Sequence, residues 1–151
     1  LLANTTCQEN VQELTVENVH RWNGTKDPYL YTVKVELKDM EENVYDSQTQ
    51  KVGFRTFKVK DGNFYLNGKL YKLNGVGMHQ DREGYGNATT KEMKEEDINT
   101  IMEMGANAIR TAHYAHDQSL YDLADEKGLI VWTEIPFYLL MADKTTISGT
   151  Y

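Results

Sequence analysis

The stretch "ANAIRTAHYAHDQSLYDLADEKGLIVWTEI", residues 106–135, decides the fold. Within it "ANAIRTA" has the short apolar make-up of a buried strand, and "DQSLYDLADEKG" reads as a helix running from an Asp117 cap to a Gly128 stop. "LIVWTEI" is a second strand, hydrophobic on both faces. Continuous apolar strands of this kind belong to parallel sheets covered by helices. Upstream, Thr89-Thr90-Lys91-Glu92 offers a capping-box start, Ile98, Ile101 and Met102 form an apolar stripe, and Gly105 stands where a helix ends in a left-handed glycine. With a strand around Leu73 to Val76, the order becomes strand, helix, strand, helix, strand. That order opens either a (β/α) barrel or a doubly wound sheet. Against the doubly wound sheet, the first loop, "GVGMHQDREGYG", is no glycine fingerprint leading straight into a helix, so no phosphate cradle is expected.

Before residue 60 the period is two. Tyr31, Val33, Val35 and Leu37 fall on one face and Thr32, Lys34 and Glu36 on the other, as in a half-buried antiparallel strand. Leu14 to Val16, Val44 to Gln50 and Val52 to Val59 have similar content, separated by turn segments such as NGTKDP and KDMEEN. Short strands so arranged belong to a β-sandwich. Asp61-Gly62 and Asn67-Gly68 are tight-turn dipeptides, and residues 62–73 are expected to form a hairpin.

Composition narrows the function. The chain has 151 residues, 40% of them hydrophobic, which is enough for a real core. A net charge of −7, with acids and bases mixed, argues against nucleic acid and anionic lipid as partners. Cys7 is the one cysteine, so neither an internal disulfide nor a cysteine metal cluster is expected. No apolar run approaches the roughly 20 residues that span a bilayer. The opening LLANTTCQEN lacks a signal-peptide pattern, and a start at Leu1 suggests a piece of something longer.

In a barrel, functional groups gather at the carboxyl ends of the parallel strands. Three polar clusters arrive there: His79-Gln80-Asp81-Arg82, then Arg110-Thr111-Ala112-His113-Tyr114, then Trp132-Thr133-Glu134. All three would face one mouth.

The segments "WNGTKDPYLYTVKVEL", "VGFRTFKVKDGNFYLNGKLYKLNGV", "MHQDREGYGNA", "MGANAIRTAHY" and "LADEKGLIVWTEIPF" together resemble the family 2 glycoside hydrolases, most closely their β-galactosidase members. The resemblance runs from about Arg21 to Phe137. It implies an immunoglobulin-like sandwich (residues 1–60 here) followed by the first units of a (β/α)8 barrel (residues 61–151), in an enzyme that hydrolyses β-linked sugars with retention. It also implies a carbohydrate contact for His79, Arg110 and His113. Asp81, Tyr114 and Glu134, at the same strand ends, complete the expected substrate-binding set; neither a cofactor nor a metal is expected. The chain departs from the commonest pattern at Gly77, where asparagine is frequent, at Gln80, where glutamate is frequent, and at Ala115, where proline usually follows the tyrosine.

Retaining hydrolysis needs two carboxyl groups about 5 Å apart. In the family both are glutamates on later barrel strands, so the chain is expected to lack them and to be inactive alone, with β-galactosides as the parent's substrate and β-glucuronides or β-mannosides as alternatives. A non-catalytic carbohydrate-binding module is a further alternative. Asp81 and Glu134 would be chemically adequate as a pair only if one were desolvated enough to keep a proton near neutral pH. Their ordinary roles are a brace for Arg82 or a turn amide, and a buried partner for Arg110. His79-x-Asp81 and His113-x-x-His116 have zinc-type ligands without a specific spacing. His116 is expected at the surface, His20 has no partner in view, and Trp132 reads as barrel filling. Tyr85, Tyr114 and Phe137 are candidates to line the cleft, and Trp132 is a further candidate should it not serve as filling. An incomplete barrel would expose strand edges, so self-association is expected.

Overall fold

A computed structural model describes Thr5, Val11 and residues 13–136. Cys7, most of the opening segment, Phe137 and the terminal LLMADKTTISGTY lie outside the described residues.

The amino-terminal part is an antiparallel ribbon, β1 (Tyr31–Lys38) paired with β2 (Val44–Val52), with Tyr31 opposite Val52 and Leu37 opposite Asp46. Leu14 to Val16 form no strand; among the described residues they find no neighbouring strand to bond. A three-stranded meander follows: β3 (Phe57–Lys60), β4 (Asn63–Leu66) and β5 (Lys69–Leu70). The expected hairpin is therefore its second half. Asp61-Gly62 and Asn67-Gly68 make both of its two-residue turns, and all four residues take the positive φ that such turns demand.

The third sheet is parallel: β6 (Gly75–Met78), β7 (Ala108–Thr111) and β8 (Ile130–Thr133), hydrogen-bonded in that order. Helix α1 (Lys91–Glu103) joins the first two strands and α2 (Gln118–Lys127) the last two. The caps are local and physical. Thr90, one residue later than the capping-box reading suggests, accepts from Met93 N, and Asp117 accepts from Ser119 N at the start of α2. Gly128 ends α2 at φ 83, a conformation that costs glycine little.

Alternation along the strands divides two cores. Outward-facing Ile109 packs with Ile98, Ile101, Leu120, Ala124 and Leu129 beneath the helices. Inward-facing Ala108 and Ile130 meet Trp22 and Leu66, so the meander and the segment before β1 close the amino-terminal end of the sheet. Trp22 is the pivot of that closure. Its ring is 1% exposed, its Nε1 donates to Asp125 O at 2.8 Å, and the Arg55 guanidinium lies over it at 4.5 Å. Arg55 also pairs with Asp125, and Lys51 with Glu126, tying the ribbon's end to α2. At the same seam a Cβ on Gly128 would overlap the Gly24 carbonyl.

The chain is thus a set of sandwich strands followed by the first β/α units of a barrel. Among the described residues nothing covers the upper inner face of the parallel sheet. A concavity of about 800 Å³ lies against it, walled by Phe57, Phe64 and Leu73 below and by Arg110 and Trp132 above. Trp132, expected as barrel filling, is 69% exposed, because no described element covers this face. Among the described residues no helix is long and apolar enough to cross a membrane.

Candidate functional site

The carboxyl ends of β6, β7 and β8 bring His79, Arg110, His113, Tyr114 and Glu134 together. Parallel register does this directly, since Gly77, Arg110 and Trp132 lie side by side across the sheet and the chain leaves each strand at the same edge. The rings of His79 and His113 approach to 5.3 Å edge to face, and His79 stands 6.0 Å from the ring of Tyr114. The Ala112–His113 peptide bond is cis.

Glu134 links two strand ends. One carboxylate oxygen accepts from Arg110 Nε at 2.6 Å and the other lies 2.9 Å from His113 Nδ1. Arg110 chiefly, and His113 after it, hold the Glu134 carboxyl below the usual carboxylate range. Glu134 is therefore an ionised acceptor at neutral pH, and His113 donates to it through Nδ1–H. A proton-donating role in a pair with Asp81 does not fit that charge state. The expected partnership with Arg110 is present, but the site is half-buried and not closed: the Glu134 side chain keeps 22% of its exposure and Arg110 keeps 50%.

Asp81 is exposed, and its carboxylate makes no hydrogen bond or ion pair among the described residues. It does not brace Arg82. That guanidinium turns to α1 instead, meeting Glu96 at 2.8 Å and Asp97 at 2.7 Å, because two carboxylates one residue apart on the helix surface offer it both ends of its fork. Tyr85 is exposed on the tight loop closed by the Arg82–Gly86 bridge.

Two histidines differ from expectation. His116 is buried, 6% exposed, with Nε2 3.1 Å from Ala112 O and its ring stacked on Tyr114 at 5.0 Å. A backbone carbonyl and an aromatic face, both supplied by the same loop, draw it inward, and no metal-type pairing with His113 results. His20 has a partner after all: Asp27 at 2.6 Å, with Tyr29 stacked on the ring at 4.1 Å. Among the described residues no group of three or more His, Cys, Asp or Glu is arranged to hold a metal ion.

Sequence reasoning passed over two supports. Lys94 is 6% exposed yet lies on the same helix face as Ile98, its ammonium reaching Thr89 O and Asp117 Oδ1, both at 3.1 Å. The spacing of four from Ile98 is the signal that would have found it. Gln80 crosses from the first loop to the second: its N donates to Tyr114 Oη at 3.1 Å, and its Oε1 accepts from Asp117 N at 2.6 Å. Only its amide character, among charged neighbours, hinted at that.

Comparison with known proteins decides the lineage. The family described as "Glycosyl hydrolases family 2, TIM barrel domain" matches residues 57–145, and "Glycosyl hydrolases family 2" matches residues 2–55. The chain belongs to glycosyl hydrolases family 2. A β-glucuronidase of Bacteroides fragilis is 43% identical over 125 residues, covering 82% of this chain and 18% of that protein. A β-galactosidase of Thermoanaerobacter pseudethanolicus is 37% identical over 139 residues, 91% of this chain and 18% of its own length. Among solved structures, the β-glucuronidase of Parabacteroides merdae superposes with a TM-score of 0.73 at 34% identity, over 80% of this chain and 15% of that one. The chain thus spans about a fifth of the family 2 relatives it matches.

Proposed function

We propose that this family 2 chain forms one wall of the saccharide pocket of a retaining β-glycosidase acting on terminal β-galactosides, with terminal β-glucuronides as a second reading. The meeting of His79 and His113, with Glu134 bridging His113 to Arg110, carries the proposal. Imidazole and guanidinium groups at a concave mouth exchange hydrogen bonds with sugar hydroxyls, while Tyr114 and exposed Trp132 offer ring faces to the apolar side of a pyranose. His79, Asp81, Arg110, His113, Tyr114 and Glu134 form the proposed contact set. The open Asp81 carboxylate suits a hydroxyl donor. The 43% identical β-glucuronidase supports the second reading, and half-exposed Arg110, bonded to Glu134 through Nε, is the natural partner for a hexuronate carboxylate.

The acid/base is proposed to come from outside these residues because ionised Glu134 has no proton to give, and the nucleophile likewise because Arg110 and His113 hold one Glu134 oxygen each. The division between sandwich and barrel is proposed near residue 60; the family matches at 2–55 and 57–145 support it, and the pairing of β3 with β4 draws it toward Phe57. The inner face and the outer edges of β6 and β8, which no described element covers or pairs, support self-association.

Calorimetric titration of the chain with galactose and with glucuronic acid is expected to give millimolar binding of one of them, roughly 4 kcal/mol. Nitrophenyl β-galactoside and β-glucuronide should show no turnover, and light scattering at micromolar concentration should show more than a monomer. Binding of neither sugar removes the pocket, turnover returns the chemistry to Asp81 and Glu134, and a strict monomer removes the self-association.

A further inference from the structure

Gln80 stands next to His79, yet both polar atoms of its side chain are spent on backbone groups, one in its own loop and one in the next. Its Nε2 donates to Asn87 O at 3.2 Å, within its own loop, and its Oε1 accepts from Asp117 N at 2.6 Å, at the start of α2. Its backbone N donates to Tyr114 Oη at 3.1 Å. Tyr114 in turn stacks on buried His116 and follows His113 directly. One residue therefore bolts the loop after β6 to the loop after β7, on either side of the two facing imidazoles.

We propose that Gln80 is a positioning residue that sets the spacing of His79 and His113, and that it must be an amide to do so; the functional part of this rests on the reading of these histidines as saccharide contacts. The two side-chain bonds require both a donor and an acceptor on one side chain, while the bond to Tyr114 comes from the backbone N. A carboxylate at position 80 would still accept from Asp117 N but would face Asn87 O with no proton to give. It would also stand beside the Asp117 carboxylate, which Ser119 and Lys94 hold ionised with its pKa lowered to about 2. A second negative charge bonded at the Asp117 backbone would repel the one that Asp117 already carries. Glutamine where the family often has glutamate is thus matched to this chain's own second loop.

The test uses the full 151-residue chain, with aromatic NMR and sugar titration read in parallel. In the unsubstituted chain the His79 and His113 rings should give a through-space cross-peak, as 5.3 Å between centroids requires. Gln80→Glu, close to isosteric, should cut that cross-peak at least twofold and weaken sugar binding at least threefold, while the resonances of the Ile98–Leu120 core stay in place. Gln80→Asn keeps the amide but shortens its reach, and should behave like Gln80→Glu. An undiminished cross-peak in both variants overturns the proposal. If the unsubstituted chain binds no sugar, the saccharide reading fails alone, and the ring-to-ring cross-peak still decides what Gln80 does. Should one variant not fold, the other carries the same readout.

Discussion

The β1–β2 ribbon and the β6-to-β8 unit are both strand structure with clear apolar periodicity, yet they end in opposite environments. In the ribbon Val33, Val35 and Leu37 share a face and remain 44%, 64% and 65% exposed. In the parallel unit Ile98, Ile109 and Leu120 are at most 1% exposed. The difference is the second layer. Helices α1 and α2 cover one face of the parallel sheet, whereas among the described residues nothing lies over the ribbon's apolar face. Periodicity predicts which way side chains point; only a covering element makes pointing into burial.

That contrast breaks most readily at the core. Leu120→Ala should cost about 3 kcal/mol, within the usual span for a fully buried leucine, whereas Val35→Ala should change stability by less than about 0.5 kcal/mol. Urea denaturation of the two variants measures both, and equal losses would mean that the ribbon has a cover as effective as the helices. The seam between the regions gives the next effect. Gly128→Ala places a methyl against the Gly24 backbone at φ +83, and about 2 kcal/mol of destabilisation is expected. Gly77→Ala, whose methyl meets nothing within 4 Å, should be nearly silent in the same urea denaturation.

The smallest effect is a matter of pH. The Asp117 carboxyl is lowered from 3.8 to about 2, first by the Ser119 hydroxyl and then by Lys94. Since the folded chain takes up this proton less readily than the unfolded chain, the stabilisation is fully present above 3.8 and is lost as pH falls through about 2. Asp117→Asn should flatten the fall of stability across that window by a small amount, which acid titration of the unfolding midpoint would detect. An unchanged slope would show that Asp117 acts only as a neutral cap.

Local rules were legible in advance. Asp117, Gly105 and Gly128 mark helix ends by chemistry that needs no tertiary contact, and the Asp-Gly and Asn-Gly turns specify their own φ values. The clustering of His79, Arg110, His113 and Glu134 was legible too, because parallel register brings strand ends to one edge. What escaped depends on particular contacts, near and far along the chain, that no spacing announces. His116 is buried by Tyr114 stacking and by a carbonyl of its own loop; Trp22 is buried by α2 and the meander; Gln80 matters through Asn87 and Asp117. None of these has a periodicity. The strand expected at Leu14 to Val16 failed for the converse reason, since strand propensity without a bonding partner leaves the ladder unmade.

The contact of Gly24 with Gly128 has a mechanical meaning. Two stretches of backbone touch there with no side chain between them, so the joint has no rotamers to yield under load. The turn before β1 is therefore seated directly on the turn that launches β8, backbone against backbone.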